Sequence, residues 1–449
     1  DRLPDSREIL RASGVSLRIE TVDTGDPHPN TYRLTLFSAR EQHSLIAIST
    51  GGGMMEAIRV DGFPVSISGD YYETLLFGSG AGELARDQVA ALVEADAVLL
   101  HQREGRFLLE IKAQEFLPPG FLKELVSTGS IESSRRIAPV LPVLSRRSTS
   151  VPFSSCRELL EFDTGRNLAL WRHAIAYECA RGGLTEAETV RKMGDIVQIL
   201  RRSIAQGIAG THYEDRVLGH QSGEFRALME KQQLLDAGAL NRMILYVTAL
   251  MEVKSSMGVI VAMPTAGACA ALPGAVIAMA EELGADEAAI ARAFLAGGLI
   301  GVFIATAWTF AAEVGGCQAE GGSAAAMAAA ALVTLAGGTL AQAVGAASMA
   351  MQSMIGLICD PIANRVEAPC LGKNVMAAAN ALCCANMALA GFDPVIPLDE
   401  VIETARRVAK QMPREVRCTA LGGLSITPTS LAIERRLARN RCGASCGCV

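Results

Sequence analysis

The first 155 residues contain no cysteine, and the whole chain of 449 residues has two tryptophans and only 5% aromatic residues. Stacked rings therefore cannot be what fills its core, although half of the residues are hydrophobic. The mean hydropathy of +0.27 rests instead on alanine and aliphatic side chains, a composition that suits helices packed at short range. An excess of basic residues is missing too: 41 Lys and Arg face 47 Asp and Glu, for a formal charge of −6 and a pI near 5.7. Nucleic acid is thereby excluded as an expected partner, because a phosphate backbone needs a positive field to hold it. The one basic run, "RRLARNR" at 435–441, reads as a solvated helix face near the C-terminus.

The twelve cysteines are Cys156, Cys179, Cys269, Cys317, Cys359, Cys370, Cys383, Cys384, Cys418, Cys442, Cys446 and Cys448. No signal-peptide pattern precedes them. Sulfur gathered in one region of a chain this long predicts reduced thiols and metal ligation in the cytoplasm, not a secreted disulfide framework. A chain of this length accommodates two or three domains.

Residues 1–80 predict a partial α/β domain. The stretches "SLRIETVDTG", "TYRLTLFSA", "SLIAISTGGGM" and "EAIRVDGFPVSI" alternate polar and apolar residues as half-buried strands do. Residues 81–150 predict a small α+β segment, with a helix in "LARDQVAALVEADAVLL", a strand in "RFLLEIKAQ" and a linker in "SRRSTSVPFSS". From 151 to 449 the apolar residues recur at three and four positions, which predicts a large all-helical domain. Two uncharged stretches, 294–312 and 323–358, are long enough to span a bilayer. They are poor in leucine, lack flanking basic residues, and the second is interrupted by "GGT" and "QAVGAAS". They are expected to be helices buried in protein, with no membrane partner.

Three cysteines stand at breaks between helices: Cys317 in "GGCQAE", Cys359 in "ICDPIANRV" and Cys370 in "EAPCLGKN". They lie 42 and 11 residues apart, too widely for a zinc ribbon but suited to one ligand from each of three loops. Three thiolates on a [4Fe–4S] cube leave one iron open to act as a Lewis acid. Spacing alone favours the plainer reading, in which cysteine is a small buried hydrophobe. A further loop, "MPTAGACAALPG" at 263–274, offers hydroxyl and N–H donors to a carboxylate, or is a simple turn between helices.

Four segments taken together carry a resemblance. "PTAGACAALPG", "GGCQAEGGSAAAMAAAALV", "CDPIANRVEAPC" followed by "KNVMAAANAL", and "TALGGLSITPTS" resemble, in order over about residues 152–430, the α region of bacterial iron–sulfur L-serine dehydratases. Ahead of them, "DPHPNTYRLTLFS", "ISTGGGMMEAIRVDGF" and "GDYYE" resemble part of that family's β region, so the chain is similar to a fused β–α form. The resemblance implies an α+β multidomain protein, with an α/β domain followed by an all-helical catalytic domain. It implies a [4Fe–4S] cluster on Cys317, Cys359 and Cys370, with Cys448 or Cys446 of the C-terminal "RCGASCGCV" folding back onto the open iron. Lys373 and Asn374 are implied as catalytic, and Thr265, Ala266 and Gly267 as substrate-binding. Glu313, Gln318 and Glu320 are expected around the cluster as polar partners. The implied reaction is loss of water from L-serine to give pyruvate and ammonia, in a homodimer and without pyridoxal phosphate.

The likeness has gaps. The family's β region begins with a serine-serine-histidine-threonine stretch that is not present here. That stretch is expected to lie upstream of Asp1, to come from another subunit, or to have been lost. The catalytic base is therefore left open between residues of suitable type, among them His28 and His220. The segment "AAEVGGCQAE" runs one residue longer before its cysteine than the family form, and "THYEDRVLGHQSGEF" departs from it as well. A changed pocket keeps two alternatives open: elimination of sulfide from cysteine, and an inactive or regulatory homologue in which the cluster is structural.

Overall fold

A computed structural model describes residues 2, 5–22, 25–28, 30–51, 53–122, 131–141, 143–147 and 149–445. Sheet structure comes first and helices follow, in an α+β layout. A short helix α1 (Ser6–Ala12) precedes four strands, β1 (Thr31–Phe37), β2 (Gln42–Gly51), β3 (Met54–Val60) and β4 (Phe63–Ile67), paired antiparallel in chain order. The second sheet has the order β6-β7-β5-β8, built from β5 (Tyr72–Ser79), β6 (Ala97–Arg103), β7 (Arg106–Ala113) and β8 (Ile131–Ile137), with helix α2 (Glu83–Leu92) between β5 and β6.

β5 is apolar on both faces because both are covered. Leu76 packs with Phe107, Leu109 and Ile111 against Ala85 and Val89 of α2. Leu75 and Phe77 join Leu108 against Ala57, Phe63, Val65 and Ile67 of the first sheet. The second sheet is thus a middle layer, and residues on the two sides of the boundary expected at residue 80 share one set of strands: Tyr72 pairs with Ala113 and Glu73 with Ile137. Alternation within "RFLLEIKAQ" alone could not reveal this, since the coverage comes from partners distant in sequence.

The middle layer buries charge. Lys112 Nζ lies 2.9 Å from Glu73 Oε1 and 3.1 Å from Glu110 Oε1, and both carboxylates are fully buried. Burial outweighs the lysine at Glu73 and pushes its carboxyl up from 4.5 to about 7. Between those two values the folded chain holds a proton that the unfolded chain releases. Stability from this group is therefore complete below about pH 4.5 and is lost as pH rises through about 7, a change on the order of 3 kcal/mol. Denaturant titrations at acidic and neutral pH should show this loss, and Glu73→Gln should remove that part of the slope.

The helical region comprises α3 (Cys156–Asp163), α4 (Leu170–Gly182), α5 (Glu186–Ala209), α6 (Ser222–Glu230), α7 (Ala239–Ser255), α8 (Ala271–Leu283) and α9 (Glu287–Ala307). It continues through α10 (Ala312–Gly315), α11 (Ser323–Leu335), α12 (Leu340–Gln352), α13 (Cys370–Leu389), α14 (Leu398–Gln411) and α15 (Pro428–Ser445). Local sequence sets several of the starts. Thr185 with Glu188 and Thr339 with Gln342 form capping boxes, and Asp286 accepts from the Ala289 amide at 2.7 Å.

α11 is the axis of the bundle. Residues 324–333 are all buried, and the helix packs against α8, α9, α12 and α13. Small side chains make the approach short. At Gly297 of α9, an added Cβ would stand 2.8 Å from the Met327 carbonyl oxygen. Of the two stretches long enough to span a bilayer, the second is divided into α11 and α12. α9 is long and apolar enough to cross a membrane, but 67% of its apolar window is buried among neighbouring helices.

Candidate active site and metal centre

Cys317 follows the single turn of α10 and Gly316, and leads through a π-helical turn (Gln318–Gly322) into α11. A widened turn of this kind is frequent at functional sites. Gln318 ties it down: its amide nitrogen Nε2 donates to the Ala405 carbonyl, and its Oε1 accepts from the Gly356 amide at 2.9 Å. The Gln318 backbone amide donates to the Leu357 carbonyl at 3.0 Å, so the loop after α12 is held against the cysteine. Cys359 lies on that loop, pinned to the segment 416–418. Its amide donates to Val416 at 2.8 Å, and the Cys418 amide donates to its carbonyl at 3.0 Å.

These contacts bring ligands together from distant positions. The thiols of Cys317 and Cys359 and a carboxylate oxygen of Glu320 lie within 4.8 Å of one another. Both cysteines are buried, at 5% and 3% exposure. The Cys359 thiol is raised above its ordinary range, first by hydrogen bonding with Cys317, then with Cys418, and then by burial. Cys370 opens α13 and is 4% exposed. It stands outside that close group, but burial and then the charges of Cys317 and Glu320 raise its thiol too. Thiols closed off from water and held in this way suit a soft metal centre.

Charge around the cysteines is arranged by α13. Lys373 Nζ donates to the Ile358 carbonyl at 2.7 Å, to Asp360 Oδ1 at 2.8 Å and toward Cys317 Sγ at 3.7 Å. Burial works against its charge, yet Cys317 and then the Asp360 carboxylate outweigh it and raise its pKa. Asn374 is spent on backbone: Oδ1 accepts from the amides of Ala270 and Ala271, and Nδ2 donates to the carbonyls of Gly267 and Cys370. It thus caps α8 from outside and binds the 265–267 loop to the start of α13.

That loop faces the centre. Thr265 is buried, accepts from the Ala268 amide and donates to Glu320 Oε1 at 2.6 Å, whereas Ala266 is exposed. Burial pushes the Glu320 carboxyl up to about 7 against the opposing Thr265 bond. A Cβ on Gly267 would come within 2.7 Å of Glu320 Oε1. Gly267→Ala is therefore expected to swing the Glu320 carboxylate aside and break its bond to Thr265, at a cost of about 1 kcal/mol. Denaturant midpoints of the two proteins check this.

The sheet region reaches the same place. Asn30 Nδ2 donates to Glu313 Oε1 at 3.2 Å, and Gly51 approaches the Ala311 backbone. His28, two residues before Asn30, accepts the Asn30 amide on Nδ1 at 3.1 Å. His220 is placed differently, with Nε2 at 3.1 Å from the Gly207 carbonyl and 3.7 Å from Glu252. Cys446 and Cys448 lie outside the described residues. Cys418 had no role in the sequence reading. The bridge of residue 359 to Arg417 and the Cys418 amide bond to the Cys359 carbonyl bring it to the site.

Residues 165–425 match the family model described as "Serine dehydratase alpha chain". The chain belongs to that family. The match spans Cys317, Cys359, Cys370 and Cys418, the family is the iron–sulfur type, and this member is an enzyme of the lyase class. Among its relatives is the probable L-serine dehydratase alpha chain of Bacillus subtilis (strain 168), 33% identical over 285 residues. These are 64% of this chain and 95% of the relative. The L-serine dehydratase alpha chain of Peptoniphilus asaccharolyticus is 33% identical over 283 residues, 63% of this chain and 97% of its own. L-serine dehydratase 2 of Escherichia coli (strain K12) is 28% identical over 420 residues, 88% of each chain. This last match extends the family likeness into the sheet region.

Proposed function

We propose that this serine dehydratase family member converts L-serine to pyruvate and ammonia, with Cys317, Cys359 and Cys370 holding a [4Fe–4S] cluster. The observation that carries the reading is the close set of buried Cys317 and Cys359 with the partly exposed Glu320, which Thr265 of the 265–267 loop holds by a hydrogen bond. Donor chemistry fits the cluster: three thiols from three loops, no disulfide partner among the described residues, and an ammonium beside one of them. When bound, the cluster supplies an iron without a protein ligand, a Lewis acid for the departing hydroxyl.

The protein's own groups divide the remaining work. Ala266 and Gly267, on the exposed side of the loop, receive the substrate carboxylate through backbone amides. Thr265 holds Glu320 in place at the base of the pocket. Lys373 keeps negative charge tolerable at Cys317 and Asp360, and Asn374 keeps the loop and Cys370 in register, so both act by positioning. His28, whose Nδ1 must first release the Asn30 amide, is the base assigned to the α-proton, because Asn30 of its loop meets Glu313 whereas His220 is committed to the Gly207 carbonyl. Loss of the proton and hydroxyl leaves aminoacrylate, which tautomerises to an imine and is hydrolysed to pyruvate and ammonia. Water is released in the first stage and consumed in the second.

The test is anaerobic purification with iron and sulfide analysis, followed by a pyruvate assay with L-serine in the same sample. About four irons per chain with pyruvate formation is the expected result. A cluster with sulfide release from cysteine and no pyruvate from serine would indicate the desulfidase alternative. A cluster with neither product would indicate a structural role, and the absence of iron would remove the assignment altogether.

A further inference from the structure

We propose that the helical region carries a second ligand site, a pocket between α4, α5 and α9 that takes an aliphatic monocarboxylate. None of its lining residues belongs to the cysteine centre or to the 265–267 loop.

The pocket has a volume of about 420 Å³, within the range of roughly 300–1,000 Å³ that small-molecule sites occupy. Its walls are apolar: Ala174 of α4, Ile196 and Ile199 of α5, and Leu295 and Leu299 of α9. Gly298 lines it between those two leucines, and a Cβ built there would meet nothing within 4 Å. α9 therefore stands off from its neighbours on this side, whereas at Gly297 it has no room for a Cβ. Val143, in the connection that leads out of the sheets, lines the pocket as well. Water held against such walls is readily displaced by a hydrocarbon chain.

Hydrogen-bonding demand is concentrated on α4. Tyr177 and Arg181 both line the pocket and lie one turn apart, so they share a face of the helix. Arg181 Nε is buried and has no hydrogen-bond partner, and its Nη2 reaches Glu178 only at 3.4 Å. The Tyr177 hydroxyl also has no partner among the described residues. A buried donor without an acceptor is costly, so two neighbouring donors in an apolar pocket call for a ligand that brings an acceptor to both.

Charge decides what kind of acceptor fits. Arg181 and Lys192 line the pocket together with Glu178 and Asp195. Asp195 is paired on the outer side with Arg191 at 3.0 Å. Arg181 and Lys192 thus face Glu178 alone, a balance that one negative charge completes. A carboxylate accepts from a guanidinium and a hydroxyl at once, by charge-assisted bonds stronger than those of an alcohol. Its aliphatic chain then fills the open space beside Gly298.

Isothermal titration calorimetry of the full chain, purified without oxygen, tests the proposal with decanoate, decanol and decyltrimethylammonium, each below its micelle concentration. Expected are one decanoate per chain, binding of decanol at least about tenfold weaker, and no binding of the cation. Arg181→Met should reduce decanoate to the affinity of decanol. Gly298→Leu, which fills the space with a better helix former, should abolish binding of both while thermal unfolding stays at or above that of wild type. Equal affinities for decanoate and decanol would overturn the carboxylate assignment, and undiminished binding to Gly298→Leu would overturn the location. The absence of saturable binding would remove the site. The comparison of the three ligands uses the wild-type chain and does not depend on how any variant folds. Iron content and pyruvate formation are measured apart from these titrations, so their failure leaves the serine reaction untouched.

Discussion

Replacing Cys359 with alanine is expected to abolish cluster binding and pyruvate formation together while leaving the helical fold in place. The backbone bonds that hold residue 359, from its amide to Val416 and from the Cys418 amide to its carbonyl, do not involve the side chain. Its apolar neighbourhood is the small group of Ala312, Cys317, Leu357 and Cys418, joined to the large helical core through Leu357. Removing one sulfur there should cost only about 1 kcal/mol of stability. The chemical loss is far greater. Two of three proposed thiolates do not retain a cube, so iron should fall from about four to below about one per chain. Without the Lewis acid, pyruvate formation should fall by about a thousandfold or more. Circular dichroism, iron analysis and turnover on one preparation check all three parts. Cys383→Ser, at an exposed thiol, is the control that should change none of them. Full iron content in Cys359→Ala would remove Cys359 from the ligand set.

The helical half was legible because its signals are local. Residues 324–331 contain nothing that water would favour, and a helix apolar all round has to be buried. Threonine with Glu188 and Asp286 mark helix starts by chemistry within one turn. The sheet half was legible strand by strand but not as a layer. The cover on both faces of β5 comes from Phe63 and Val65 on one side and Val89 on the other. No periodicity within 72–79 encodes those partners.

Site residues divide along the same line. Cys317, Cys359 and Cys370 stand at helix breaks, and breaks can be read from the sequence. Their separations in space cannot. Position 418 is 59 residues beyond position 359 in the chain, yet its backbone amide bonds the Cys359 carbonyl, while Cys370, much nearer in sequence, stands outside the close group of Cys317, Cys359 and Glu320. The roles of Lys373 and Asn374 were hidden for a related reason. Both have the chemistry to meet a carboxylate, and only the partners they find in the fold show their donors already engaged.

Asn374→Ala is expected to produce the largest stability loss of any single substitution in the site, roughly 3–5 kcal/mol. Asn374 is 3% exposed and serves four backbone groups: the amides of Ala270 and Ala271, and the carbonyls of Gly267 and Cys370. Alanine would leave all four without their partner, at about 1–3 kcal/mol for each group that water cannot reach. Ala270 and Ala271 are fully buried at the start of α8, so their amides have little prospect of solvent. Asn374→Asp keeps the acceptor for those amides and places negative charge at the helix start, where the dipole favours it, but loses both donated bonds. Its stability should lie between wild type and alanine. Denaturant titration of the three proteins gives the order. Kinetics then separate positioning from direct catalysis. If Asn374 acts by holding the 265–267 loop, the aspartate variant should retain iron and lose serine affinity more than turnover. A variant as stable as wild type but without turnover would place Asn374 on the substrate itself.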